Sequence, residues 1–300
     1  MSSSGVASAE VAVCENCGKT ARYGIEPECR ACYWPHAMYA PNVQIARKLE
    51  SALQGRFDNT RESATNDSWR PLFEAMVDIG VKSEAVAAVE VNFAVDLFSS
   101  ARMYYIPYAQ QVRGGVRAPA GDTDDAHRRV VDSLIYGGYG EQINFASLSA
   151  DGRGVPSWGK IFLQLDSAAI GYRSTVLEEN SYIFVVAHKL SADTVANRMN
   201  VLAGYLAAWD GRHKLVASKL GPLVATMPSP SDLASKLVSA GTGRADADFL
   251  EVHIFGPFNH QAVEAVRVLD GHYTQPINAA LFAAFKELVP QVTGRPVEMI

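Results

Sequence analysis

The chain has 300 residues, 48% hydrophobic and 20% charged, a balance that excludes general disorder and leaves apolar surface for one large domain or two. Its formal charge of −5, with no long basic block, excludes a chain-wide field favouring a phosphate backbone, though not a local basic patch. No run approaches roughly eighteen apolar residues, and the amino terminus lacks a positive flank before an apolar stretch, so a cytoplasmic protein without membrane contact is expected.

All four cysteines fall in the first 32 residues, as Cys14, Cys17, Cys29 and Cys32, which suits a reducing compartment. The stretch CENCGKTARYGIEPECRAC separates two C-x-x-C pairs by eleven residues, a spacing that lets four thiolates converge tetrahedrally on one zinc ion. A zinc ribbon with a structural or docking role is expected over residues 1–40, and His36 is read as a surface residue because four thiolates already close the site. A closed site has no position for an activated water, so any catalysis is expected downstream.

From Pro41 to about Ile106 the pattern reads as helical, in NVQIARKLESALQGRF, DSWRPLFEAMVDIG and SEAVAAVEVNFAVDLFSSARMYYI, with Asn42, Asp67 and Ser83 as N-caps. Residues 41–120 are therefore expected to form a helical region. VRGGVRAPAGDTDD then changes the composition to Gly, Pro, Arg and Asp and marks a boundary; its Arg113 and Arg117 suit phosphate contact or a solvated loop equally. In the helix that follows, His127, Arg128 and Arg129 come after Asp122, Asp124 and Asp125, an order that complements the helix dipole.

Strand-like segments dominate next: GEQINFASL, KIFLQLD and YRSTVLEENSYIFVVAH. A long helix is expected after SADT, with Val195, Met199, Leu202, Leu206 and Trp209 at helical spacing, and SDLASKLVSA is expected to form another. DFLEVHIFG resumes the sheet, QAVEAVRVLD leads into a further strand, and PINAALFAAFKELV closes as a helix with an apolar face. The motifs of serine hydrolases, zincins, P-loop enzymes and Rossmann dehydrogenases are absent.

In FLEVHIFG, alternation puts Glu251 and His253 on one face with Phe249 and Phe255, and Leu250, Val252 and Ile254 on the other. An edge strand with one solvated face fits this pattern, and so does a strand lining a cleft.

The run Glu251-Val252-His253-Ile254-Phe255-Gly256 is preceded in order by Tyr139-Gly140, GKIFLQLD, Arg173-Ser174-Thr175 and Ser181. This order, over about residues 136–270, resembles the ADP-ribosyltransferase superfamily, in particular bacterial toxin-like members whose carboxy-terminal core strand carries a catalytic glutamate. His253 stands where that family usually has Gln or Glu, and for the family's dinucleotide-gripping residue on the first core strand Arg102, Arg113 and His127 are candidates, with the role assigned to none of them.

The resemblance implies an α+β fold, an ADP-ribosyltransferase-like split β-sheet core over residues 121–300, preceded by the zinc ribbon and the helical region. It also implies an NAD-dependent mono-ADP-ribosyltransferase, a toxin or anti-phage defence effector that modifies a nucleic acid or a protein, with an antitoxin or inhibitor protein as a further partner. Cleaving nicotinamide from NAD builds positive charge on the ribose, which a carboxylate such as Glu251 stabilises. His253 would orient or deprotonate the target, or simply pack; Tyr139, Arg173 and Ser181 would hold NAD. A non-catalytic zinc-ribbon adaptor for nucleic acid or protein and an NAD glycohydrolase remain open alternatives.

Overall fold

The computed structural model describes residues 11–13, 20–22, 40–67, 69–115, 117–118, 121–226, 229, 232–239, 241 and 247–300, with backbone alone for 11–13, 20–22 and 122–127. The four cysteines, and with them the expected zinc ribbon, lie outside the described residues. Strands β1 (Val11–Val13) and β2 (Thr20–Arg22) pair as a small antiparallel ribbon.

Helices α1 (Pro41–Lys48), α2 (Glu50–Asn66) and α3 (Arg70–Lys82) follow, two of them opening with a proline in the first two positions, where the missing N–H leaves nothing unsatisfied. Next come β3 (Glu84–Val89), α4 (Val91–Ser99), α5 (Tyr108–Arg113) and α6 (Asp122–Tyr136). The middle of the chain forms β4 (Ile143–Ser149), β5 (Ile161–Leu165), α7 (Ser167–Ile170), β6 (Ser174–Leu177) and α8 (Ser181–Ala187). Then follow α9 (Arg198–Leu202), β7 (Leu206–Ala208), α10 (Arg212–Leu220), α11 (Leu233–Leu237), β8 (Val238–Ser239) and β9 (Asp248–Phe249). The chain closes with β10 (Glu251–Phe255), β11 (Val263–Val268), α12 (Pro276–Thr293) and β12 (Val297–Met299).

Eight strands form one mixed sheet in the order β12-β11-β5-β3-β4-β10-β6-β7, antiparallel throughout except for β11 with β12. Helices cover both faces. On one, Met76 of α3, Phe98 of α4, Leu215 of α10 and Phe285 of α12 pack with Leu163, Val252 and Ile254. On the other, Ile135 and Tyr136 of α6 and Phe184 of α8 pack with Leu177, Leu206 and Phe255. The protein is thus α+β, and no helix among the described residues is long and apolar enough to cross a membrane.

Four expectations change. EAVAAV, read as helix, is β3: Ala and Val are tolerated in either state, and burial between β4 and β5 decides for the strand. The region 41–120 therefore contributes a central strand to the sheet, and the boundary expected near residues 107–125 does not separate a helical unit from a sheet unit. SYIFVVA, read as strand, is α8: the Asn180 side chain accepts from the Tyr182 N–H at 2.9 Å as an N-cap, and Phe184 and Val185 turn inward while Val186 faces solvent. The long helix expected after SADT breaks into α9 and β7, which pairs with β6 at the sheet edge.

The expected N-caps fall elsewhere too: Asn42 is a buried residue within α1, Asp67 follows α2, and Ser83 ends α3. Finally, the sheet is a single ladder, but it opens at one place. β3 pairs with β4 only from Glu84–Ser149 to Val86–Ser147, after which β3 follows β5 while β4 follows β10. The two strands diverge beyond Val86 and Ser147, leaving a wedge in the sheet.

Candidate functional site

β10 is a central strand with all five residues buried, flanked by β4 and β6, which excludes the solvated edge strand. Register places Glu251 between Ser147 and Leu177, and His253 between Phe145 and Thr175, so these side chains share one face. Gly256 ends the strand at a φ of 79°, a left-handed conformation that glycine adopts without strain.

Helix α6 lies over that face. Its Arg128, Asp132 and Tyr136 recur every fourth residue and so form one stripe. The Tyr136 hydroxyl is hydrogen-bonded to His253 Nδ1, and His253 Nε2 lies 3.0 Å from Glu251 Oε2. Because an ionised carboxylate only accepts, Nε2–H donates to Glu251, while Nδ1 and the Tyr136 hydroxyl share the second bond of the ring. His253 is fully buried, held edge-on to the Tyr136 and Phe145 rings at 5.2 Å each. It has no open face for a target molecule; the group it orients is Glu251.

The Ser181 backbone N–H, at the start of α8, donates to the same Glu251 Oε2 at 2.8 Å. Burial pushes the Glu251 carboxyl up, but the His253 hydrogen bond and charge, joined by Ser181, outweigh it, so the group titrates below its ordinary value. Glu251 is thus ionised at neutral pH. Both bonds fall on Oε2, and the Ser181 side chain adds a further hydrogen bond to the same carboxylate.

Asn42 buttresses this arrangement. Its amide donates to the carbonyls of Arg173 at 3.1 Å and His253 at 2.9 Å, tying α1 to β6 and β10.

Glu251 borders a pocket of about 70 Å³ over the wedge between β3 and β4, where Ala88 and Phe145 face each other across the gap. Trp158 and Phe249, edge-to-face at 5.2 Å, form one wall. At the mouth, Arg128 lies 5.0 Å from the rings of both Tyr108 and Phe145, and Arg117 lies 4.8 Å from Tyr108 and 5.1 Å from Phe93. Neither guanidinium is ion-paired among the described residues, so the pocket joins one carboxylate, two available cations and aromatic walls.

The other expected site residues divide. Ser181 is at the site, through its main-chain N–H and its side chain. Arg173 is buried at the far end of β10, where Nη1 donates to the carbonyls of Phe255 at 2.9 Å and Pro257 at 2.7 Å, and it does not line the Glu251 pocket. Tyr139 packs on Tyr136 and Phe255, away from that pocket, and burial pushes its hydroxyl up to about 12. Arg113 is ion-paired with Glu141, and the His127 side chain is not described. Among the described residues no three His, Cys, Asp or Glu side chains converge as a metal-binding group.

Tyr136, Asn42 and Arg128 escaped sequence reasoning as site residues, whereas Arg117 reads as a loop cation suited equally to phosphate contact or to solvent. The four-residue spacing of Arg128, Asp132 and Tyr136 was a usable signal; nothing local marked Asn42. The sequence matches no family model and no curated protein.

Proposed function

We propose that this chain is an NAD-dependent mono-ADP-ribosyltransferase. The observation that carries the reading is the ionised Glu251, fixed by His253 and Ser181 beside a pocket whose mouth bears Arg117 and Arg128. The wedge between β3 and β4 supports the split-sheet expectation in a modified form, with the strands still joined at one end.

In this reading the C1′–N bond of the nicotinamide ribose breaks, and nicotinamide leaves with the electron pair. Positive charge develops on C1′ and the ring oxygen, opposed by the Glu251 carboxylate, which also accepts from a ribose hydroxyl. A nucleophile on the target then attacks C1′ and gives up its proton. Tyr136 and His253 act through Glu251 by fixing its rotamer and charge. The pyrophosphate is held by Arg117 and Arg128 in place of Arg173, which does not line the Glu251 pocket.

The enclosed space is below the ~150 Å³ that accommodates one benzene ring, so NAD enters as Arg117 and Arg128 exchange ring contacts for phosphate contacts. The four cysteines would add a zinc ribbon, and the proposed setting is a toxin or defence effector inside the cell.

The test is incubation of the purified chain and Glu251→Gln with adenylate-labelled NAD and a cell extract, followed by separation of protein, RNA and DNA. Transfer of label to one fraction, reduced about 10²–10³-fold in the variant, is expected. Free ADP-ribose without labelled macromolecule would indicate hydrolysis instead, and intact NAD throughout would overturn the reading in favour of a binding protein.

A further inference from the structure

Two larger cavities, distinct from the Glu251 pocket, share Tyr172 in their walls. The first, about 640 Å³, is lined by Arg102, Tyr104, Tyr172, Arg173 and Phe258. The second, about 790 Å³, is lined by Arg47, Lys48, Tyr172 and Trp209. Each is several times the ~150 Å³ that holds a benzene ring.

Their charge is one-sided. Arg47 pairs with Asp210, the acidic residue that lines the second cavity, whereas Arg102, Lys48 and Arg173 have no ion pair among the described residues. Arg173 is 2% exposed, its Nε has no partner, and among the described residues its charge meets two carbonyls at Nη1 and the Tyr172 ring at 5.8 Å but no carboxylate. A buried guanidinium without a counter-ion is costly, and an anion entering the cavity supplies one. Tyr104, 42% exposed, and Tyr172 add aromatic surface between the cations.

We propose that this groove binds single-stranded nucleic acid, with phosphates on Arg102, Arg173 and Lys48 and bases against Tyr104 and Tyr172. Cations that track a backbone, interleaved with rings on which bases stack, are what a single strand requires. A duplex keeps its bases stacked internally and cannot use the rings. The groove is local, so a net charge of −5 for the whole chain does not oppose it.

The groove also adjoins the Glu251 pocket. Phe258, on its wall, stacks at 5.1 Å on Tyr105, which lines that pocket, so the two sites lie on either side of one aromatic pair. Combined with the transferase reading, on which this step alone rests, the strand in the groove is the macromolecule that receives ADP-ribose.

Binding itself is measured without NAD, so its outcome is separate from that of the transferase test. Fluorescence anisotropy would follow the full chain binding labelled oligonucleotides of about twelve residues, one of deoxythymidine and one of uridine, across a salt series. Both should bind, with RNA and DNA ranked by affinity. The double variant Lys48→Glu/Arg102→Glu, at two exposed positions, should bind at least tenfold more weakly, with a flatter salt slope, since each lost phosphate contact removes about 0.7 from it. Tyr172→Ala should lose roughly tenfold for both oligomers, and Glu251→Gln nothing. Unchanged melting temperatures would show that the variants fold. No binding at low salt, equal binding of a duplex, or affinity unmoved by all groove substitutions would overturn the proposal, the last by placing the strand elsewhere on the chain.

Discussion

Replacing Asp132 with asparagine should stabilise the protein at neutral and alkaline pH and leave it unchanged in acid. Asp132 is 8% exposed, and burial pushes its carboxyl from an ordinary 3.8 up to about 7, against the opposing charge of Arg128 and with help from Glu251 and Glu141. Between those two values the unfolded chain has released this proton while the folded chain retains it, so stability falls as pH rises through the window. Above about 7 both states are ionised and the full cost of burying the charge is present. At about 1.4 kcal/mol for each tenfold in proton affinity, the rise corresponds to roughly 4 kcal/mol. Asparagine has nearly the same shape and never ionises. Urea unfolding of both proteins at half-unit steps from pH 4 to 8.5 isolates the effect, because other titrating groups cancel in the difference. The difference should be near zero at pH 4, grow to a few kcal/mol by pH 7 and then level off; one of constant size across the range would refute the reasoning.

Asn42→Ala should destabilise by about 2–5 kcal/mol, because it removes two buried hydrogen bonds that tie α1 to the sheet and leaves a cavity in their place. At roughly 2–4 °C per kcal/mol the melting temperature should drop by about 5–15 °C, and a drop below about 2 °C would mean that water replaces the amide. Tyr136→Phe keeps the ring but removes the hydroxyl that meets His253 Nδ1; if the proposed transferase reading holds, about tenfold slower NAD turnover at unchanged NAD affinity is expected, whereas altered affinity alone would place Tyr136 in ligand binding. Cys14→Ser or Cys29→Ser should lower zinc from about one ion per chain without melting the sheet, and metal analysis beside circular dichroism checks both.

Much of the sheet could be read from alternation and turn residues. β4, β5, β10 and β11 stand where INFASLS, IFLQL, EVHIF and VEAVRV suggest, because their Val, Ile and Phe content agrees with their tertiary role. EAVAAV and SYIFVVA misled for opposite reasons. The first has the composition of a helix but fills a slot between two strands; the second has that of a strand but follows an N-cap. Glu251 and His253 were legible as a pair on one face, yet their division of labour was not, since it depends on Tyr136 approaching from a helix 117 residues away. The arginines at the pocket mouth were equally opaque, because a cation in a Gly-rich loop and one in a basic triplet look like ordinary solvated charges until Tyr108 and Phe145 come under them.

The contacts of Asn42 limit how the chain can be cut. That residue stands 131 positions from Arg173 and 211 from His253, and β3 lies between β4 and β5 although it precedes both by many residues. A fragment beginning at residue 121 would lose the donor for two carbonyls and leave β4 and β5 with facing, unpaired edges, the kind of surface that recruits other chains and aggregates. The smallest piece able to assemble the Glu251 pocket must therefore start ahead of α1 and run past β11, so expressing the carboxy-terminal part alone should yield insoluble material rather than a trimmed, folded domain.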